Sequence, residues 1–418
     1  MSLFNLLGKS AFGMESTQEK LGRLLNEAQA LAEQLRTNNS LETDPVLRNQ
    51  LVENSKRLAT TLQTPIDRAW EVFFQPHHLS ALYVAMDAGW LQLLNDAKTT
   101  GLSAEQLASS TTPHADPSLV KRLMRILTAT GTIAEIGFET YAATEFSDLF
   151  CTPEWAAGLR HGSRDFAVSI AKMPEYFAEN GLQAPPSAAN GLYQYSHGIP
   201  FLQYLGQNAE AAKQFNVFMT AVRAGKKSWT ETFPISEKLH VDSADDVLLV
   251  DIGGGKGHDL VEFSTAQKRM GLKGKLILQD LPRVTTQVPT EWNHLFEIQE
   301  HDFFRQQPVL HARAYFFKNV LHGWTDEECV SILSQTKDAM KPGYSKLLIN
   351  EIVLPDVGCG FWGAGFDLSM LAVPNGRLRT GRQWEDLISK VDGLKLVKVW
   401  TVGSDGESVV EVDRKEKA

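Results

Sequence analysis

Val247-Leu248-Leu249-Val250-Asp251-Ile252-Gly253-Gly254-Gly255-Lys256-Gly257-His258 reads as a buried strand that ends on an acid and passes through a glycine turn into a helix. Without Cβ atoms such a turn can be sharp, and a bulky ligand can lie against its backbone. The helix N-terminus behind it favours a negative group, either the carboxylate of an amino acid or a phosphate. Strand-like runs follow at Leu276 to Asp280, Phe296 to Gln299, Ala314 to Phe317, Lys346 to Glu351 and Lys395 to Trp400, most of them separated by helical patterns. This alternation predicts an α/β fold, a Rossmann-like, mostly parallel sheet with helices on both faces that binds its ligand beyond the carboxyl ends of the strands.

Dinucleotides and phosphates use similar turns, so the next strands must discriminate between ligands. Leu276-Ile277-Leu278-Gln279-Asp280-Leu281-Pro282 places an acid 29 positions after Asp251, suited to ribose hydroxyls and still compatible with a nicotinamide cofactor. The third strand leads into His301-Asp302-Phe303-Phe304, an acid with aromatics where an adenine amine and ring face would lie. No P-loop Lys-Ser or Lys-Thr pair stands near the turn. Acids at three successive strand ends, Asp251, Asp280 and Asp302, fit a nucleoside without phosphates.

The 418 residues of the chain are too many for one ordinary core. Residues 1–64 predict an N-terminal helical arm, because Leu21, Leu24, Leu25, Ala28, Leu31 and Leu35, then Leu51, Leu58 and Leu62, recur at helical steps on either side of a polar stretch. Residues 65–150 predict a winged helix: a helix from Leu79 to Leu94, one capped by Ser103 with Gln106, a third from Leu119 to Thr130 ended by Gly131, and two short β runs. The third helix offers only Lys121, Arg122 and Arg125, too narrow a basic face for reading DNA. Residues 151–240 predict a helical linker and substrate-pocket region with breaks at Gly191, Gly198 and Pro200, and residues 241–418 the cofactor-binding domain. A net charge of −9 argues against nucleic acid as partner. No apolar run approaches the ~18 to 20 residues of a membrane span, and the N-terminus lacks the pattern of a secretory signal, so the expected location is the cytoplasm. Cys151, Cys329 and Cys359 are isolated from one another and from histidines, predicting buried thiols, no disulfide and no metal site.

With these motifs in hand, the sequence resembles the plant- and fungal-type O-methyltransferases, class I and caffeate-O-methyltransferase-like, from about Pro65 to Trp400. The resemblance rests on the glycine turn with Asp280-Leu281-Pro282, on Lys318-Asn319-Val320-Leu321-His322-Gly323-Trp324-Thr325-Asp326-Glu327-Glu328-Cys329, and on Asn375-Gly376-Arg377-Leu378-Arg379-Thr380. It implies S-adenosyl-L-methionine as cofactor, with Gly253 and Gly255 at the methionine part, Asp280 at the ribose, Asp302 and Phe303 at adenine, Lys318 at the edge, and Asp251 and Leu281 among the cofactor-binding residues. It also implies a phenolic or polyketide-derived small-molecule substrate and a homodimer through the N-terminal helices and winged helix.

His322 follows a buried strand and precedes an amphipathic helix, which carries it above the sheet where substrate would meet the cofactor. Read alone, it could equally cap that helix. The resemblance makes it the general base, a role a neutral imidazole suits at pH 7, and makes Glu351, at the end of the next strand, the carboxylate that orients it. Two positions depart from the family pattern: Leu378 stands where a second acid is usual, and Gly323 where Asp or Asn is. A pericyclase-like fungal subset keeps the sulfonium cofactor unspent, and in that case Lys318, His161 and Arg223 are candidate donors to a carbonyl. His161 has the alternative reading of a solvated helix histidine. Aromatic and polar residues on one helix, Phe215, Phe218, Met219 and Arg223, together with Gly323 and Met370, complete the expected substrate pocket.

Overall fold

A computed structural model of the chain describes residues 16–38, 45–223, 228–401 and 407–416, which fall into two compact units, one ending at Thr144 and one starting at Glu145. In the first unit the leucine pattern folds into α1 (Thr17–Asn38) and α2 (Pro45–Leu62), which pack on each other and bury Leu24 and Leu47. Most of the polar stretch expected between them, residues 39–44, lies outside the described residues. The next helix differs from expectation. Thr64 and Asp67 form a capping box with Pro65 in the first turn, where its missing N–H costs nothing, so α3 spans Pro65–Asp87. Gly89 then takes φ +75° and α4 (Trp90–Ala97) follows, which makes two helices of the one expected from Leu79 to Leu94.

Beyond α4, β1 (Leu102–Ser103) leads into α5 (Ala104–Ser109), capped by Ser103 and Gln106 as the sequence predicts. α6 (Pro117–Ala129) buries Val120, Met124 and Leu127. Gly131, at φ +68°, turns the chain into β2 (Ala134–Gly137) and β3 (Thr140–Ala142). The three strands pair in the order β1-β3-β2 and form the expected wing.

The second unit begins with short helices between Glu145 and Lys238, interrupted at Gly191, Gly198 and Pro200 as expected. The sheet follows: β4 (Val247–Ile252), β5 (Lys275–Asp280), β6 (Glu297–Glu300), β7 (Ala314–Lys318), β8 (Lys346–Leu354), β9 (Arg379–Thr380), β10 (Leu394–Thr401) and β11 (Glu407–Arg414). Strand order is β10-β11-β8-β7-β4-β5-β6, with β9 beside the end of β8. The pairs from β8 through β6 are parallel, and β11 runs antiparallel to both its neighbours. β11 is absent from the sequence reading because Glu-Ser-Val-Val-Glu-Val-Asp-Arg carries charge at alternate ends of a short apolar run. Its Glu411 is nevertheless fully buried, held by Lys238, Lys346 and Trp400.

Alternation along β7 shows how the sheet separates two cores. Tyr315 and Phe317 join Ile332, Leu333 and Trp384 on one face, while Ala314 and Phe316 join Leu260, Phe263 and Trp229 on the other. Burying each large apolar side chain contributes about 1.5–3 kcal/mol, so the helices on both faces are fixed mainly by these rows. Strand order reverses at β4, whose neighbours are β5 and β7, and this opens a crevice at the carboxyl ends of the three. Of the cysteines expected to be buried, Cys329 is buried, Cys151 half-buried and Cys359 exposed. Among the described residues no helix is long and apolar enough to cross a membrane.

Candidate active site

At the crevice, the turn after β4 folds back on β5. Gly253 and Gly254 donate their N–H groups to the Gln279 carbonyl, at 2.8 and 3.2 Å. A Cβ at Gly254 would collide with the buried Asp251 carboxylate and Leu278, so only glycine lets the loop close over that acid. Gly255, at φ +62°, would point a side chain into open space, and its N–H donates instead to Asp280 Oδ2 at 2.8 Å. Leu281 N–H donates to the other oxygen, Oδ1, at 2.7 Å. Burial pushes the Asp280 carboxyl above the ordinary carboxylate range, while these two backbone donors pull it back. Behind it Gln279 and Gln307 exchange reciprocal amide hydrogen bonds of 2.8 Å in the interior and fix the end of β5.

Phe303 and Val320 are the side chains facing Gly253. Phe303 also meets Trp324 edge to face at 5.8 Å, and the Asp302 carboxylate, partly exposed, accepts the Phe304 N–H. Gly253, Gly255, Asp280, Leu281, Asp302 and Phe303 are thus gathered around the ends of β4, β5 and β6, offering open space, carboxylates and an aromatic edge with no bound phosphate chemistry required. Lys318, at the end of β7, is held between Asp259 (2.9 Å) and Glu407 (3.4 Å) and is nearly buried, so its charge is already balanced.

His322 sits in a single turn, Leu321–Gly323, between β7 and the helix Asp326–Ala339. Its Nδ1 lies 2.7 Å from Oε2 of Glu351, at ion-pair distance but bent off the linear hydrogen-bond direction. Oε1 of the same carboxylate accepts the N–H of Leu321 (2.9 Å) and of His322 (3.2 Å). Glu351 is fully buried in β8, where β7 and β11 pair on either side of that strand. The helix-cap alternative for His322 fails here: Thr325 caps the following helix, with Glu328. A Cβ at Gly323 would meet nothing, so the space beside the imidazole is open. Leu378 packs into an apolar cluster with Ile352 and Met370, and its N–H donates to Asp367 at 2.7 Å.

His161 is 6% exposed, which corrects its reading as a solvated helix histidine. Its Nδ1 contacts Asp165 at 2.5 Å across a π-helical turn, Gly162–Phe166, and Tyr193 donates to the same carboxylate at 2.8 Å. Rings of Phe166, Phe201, Phe215 and Phe218 surround the imidazole at 4.5–5.8 Å. Its Nε2 is buried without a hydrogen-bond partner among the described residues. Phe215 and Phe218 therefore belong to a cage around His161, with half-buried Met219 on their helix; the Arg223 side chain lies outside the described residues. The cage joins the base turn only indirectly. Phe166, Phe201 and Phe215 pack with Ala372 and Val373, and the chain then reaches Gly376, whose Cα abuts the His322 carbonyl.

Three contributors to this geometry escape sequence reasoning. Gln279 and Gln307 look like surface amides, and Arg379 carries no role of its own in the sequence; the signal for Gln279 is its place beside Asp280 and for Arg379 its place in the 375–380 motif, while nothing local marks Gln307.

Comparison with known proteins gives two matches to family profiles, an O-methyltransferase domain over residues 182–393 and an O-methyltransferase dimerisation domain over residues 70–153. The chain is 34% identical to the O-methyltransferase mpaG' of Penicillium brevicompactum over 375 residues, covering 88% of this chain and 93% of that protein. A crystal structure of OxaC in complex with SAH and oxaline superposes with a TM-score of 0.80 at 26% identity, covering 96% of this chain and all of that one. A structure described as a pericyclic reaction enzyme superposes with a TM-score of 0.78 at 24% identity over the same share of each, a likeness of fold alone.

Proposed function

The chain belongs to the O-methyltransferase family, whose cofactor is S-adenosylmethionine, and from that premise we propose that it methylates a hydroxyl of a phenolic or polyketide-derived metabolite with His322 as general base. The observation that carries the reading is the fully buried Glu351 at 2.7 Å from His322 Nδ1. A carboxylate there stabilises the imidazolium that forms when the other ring nitrogen accepts the hydroxyl proton. The cradle fits the cofactor: open backbone at Gly255, paired acceptors at Asp280, and Asp302 with Phe303 for a base. S-adenosylmethionine, held there by Gly253, Gly255, Asp280 and Asp302, would supply an electrophilic methyl group, and His322 would accept the proton of the substrate hydroxyl. Lys318, already engaged by two carboxylates, is better suited to tying β7 to β11 than to donating to substrate. The open side of Gly323 leaves room beside His322, and Phe215 and Phe218 of the cage around His161, with Met219 on the same helix, offer the apolar wall a small aromatic substrate needs, while Met370 is buried with Ile352 and Leu378.

Two observations favour a second reading, dehydration or pericyclic cyclisation with the cofactor unspent. Leu378 replaces an orienting acid with an apolar cluster, and His161 Nε2 is a buried ring nitrogen with no partner of its own among the described residues. Incubation of the protein with S-adenosylmethionine and a panel of phenolic, pyridone and polyketide acceptors, followed by mass spectrometry, separates the two. Methyl transfer yields S-adenosylhomocysteine one for one with methylated acceptor. Isomerised or dehydrated acceptor with intact cofactor would overturn that reading in favour of the cyclase.

The same proposal includes a homodimer through the first unit, supported by the dimerisation-domain match and by the exposed Trp70, Phe73 and Phe74 of α3.

A further inference from the structure

Arg379 is 1% exposed, and its guanidinium bridges the turn that carries His322 and the helix that follows it. Nη1 donates to the Leu321 carbonyl at 3.1 Å, and Nη2 to the Trp324 carbonyl at 3.1 Å, so the two acceptors bracket the histidine. Nε and Nη2 both reach Asp326 Oδ1, at 3.1 and 2.9 Å, and the guanidinium lies on the Trp384 ring at 5.2 Å. Burial alone would raise the Asp326 carboxyl, but hydrogen bonds from Lys390 and Arg379 hold it below the ordinary range, so the fork has a charged partner. The same segment supplies the remaining contact: Arg377 N–H donates to the His322 carbonyl at 2.8 Å, where Gly376 has no Cβ to intervene.

We infer that Arg379 is a positioning residue for His322, fixing the acceptor side of its turn as Glu351 fixes the donor side. The main-chain carbonyls of residues 321, 322 and 324 are satisfied by residues 377–379, and the N–H groups of residues 321 and 322 by Glu351. This double clamp explains how a single buried carboxylate orients the base although Leu378 contributes none: the ring is aimed by its backbone as well as by its acidic partner. The inference rests on His322 as base, but it concerns the rigidity of the turn, which can be measured without turnover.

Diethyl pyrocarbonate, which acylates unprotonated imidazole, provides the probe, with peptide mass spectrometry reading His322 and the exposed His240 in one sample. Arg379→Met should raise the rate at His322 about fivefold relative to His240 through local opening of the turn. Arg379→Lys keeps the charge on Asp326 but lacks the fork, and should fall between. Once an acceptor is identified, Arg379→Lys should lower kcat more than it raises KM. Equal His322 rates in wild type and a folded Arg379→Met would overturn the inference, as would a rate that rises equally at His240 and His322. If the Met variant does not fold, Arg379→Lys decides alone: a raised His322 rate supports the clamp and an unchanged one removes it. Undiminished methyl transfer in a variant whose His322 rate has risen would count against His322 as base and leave the clamp standing.

Discussion

At the scale of single residues, the site turns on groups whose surroundings leave them few alternatives. His322→Gln removes the proton acceptor and should lower kcat by about 10²–10⁴-fold, with cofactor affinity unchanged by calorimetry; retained kcat would remove His322 from the role of base. Glu351→Gln keeps the shape and one acceptor oxygen for the Leu321 and His322 N–H groups but loses the charge, and should cost about 10–100-fold in kcat, with KM little moved. Gly376→Ala tests packing and not chemistry: its Cβ would strike the His322 carbonyl, a backbone atom that cannot swing away. A loss of about 1–3 kcal/mol is expected from such overpacking, read as a lower urea midpoint. Of these residues, His322 and Glu351 could be singled out in the sequence, because each ends or follows a buried strand and stands where the family resemblance implies a base and its orienting carboxylate. Gly376 and Arg379 were not, since their importance comes from touching a turn more than fifty positions away.

At the scale of elements, the proposed cofactor site lies at the strand ends, and Asp280 should give it a pH signature. Burial raises its carboxyl above the ordinary carboxylate range, so protonation begins at a higher pH than for a free aspartate. Cofactor affinity, followed by calorimetry on lowering the pH, should weaken from that higher pH onward, and Asp280→Asn should flatten the dependence. The stability term has the opposite sign. A carboxyl with a raised folded pKa destabilises the fold while ionised, and that penalty is fully present above the folded pKa and relieved as pH falls through it. An affinity profile identical in wild type and Asp280→Asn would remove this acid from the site. The strands β4 to β8 could be read from sequence because strands covered on both faces are near-continuous apolar runs. β11 could not, because its charged residues are neutralised by lysines from elsewhere, and the start of α3 was missed because residues 66–77 are all exposed, so no buried apolar stripe marks that half of the helix.

At the scale of the whole molecule, that exposed run makes a prediction about assembly. Trp70 stacks on Phe74, with Phe73 edge-on to both, and all three remain exposed together with Ile66 and Val72. A contiguous aromatic face of this kind marks an association surface. Sedimentation should find a dimer at micromolar concentration, and Trp70→Glu with Phe73→Glu should give a folded monomer; a monomeric wild-type chain would exclude the assembly. The sequence by itself determined the α/β class, the helices and strands of the wing, the glycine turn and the places of His322 and Glu351 at strand ends, because each is written in short-range patterns: apolar period, capping residues, glycines and the acid or histidine at a strand's end. Only the tertiary structure decided that His161 is buried in an aromatic cage, that Lys318 is held between two carboxylates, and that Arg379 clamps the His322 turn. Those are matters of which distant groups share a low-dielectric interior, and pairing at that range is set by packing, which no local pattern encodes.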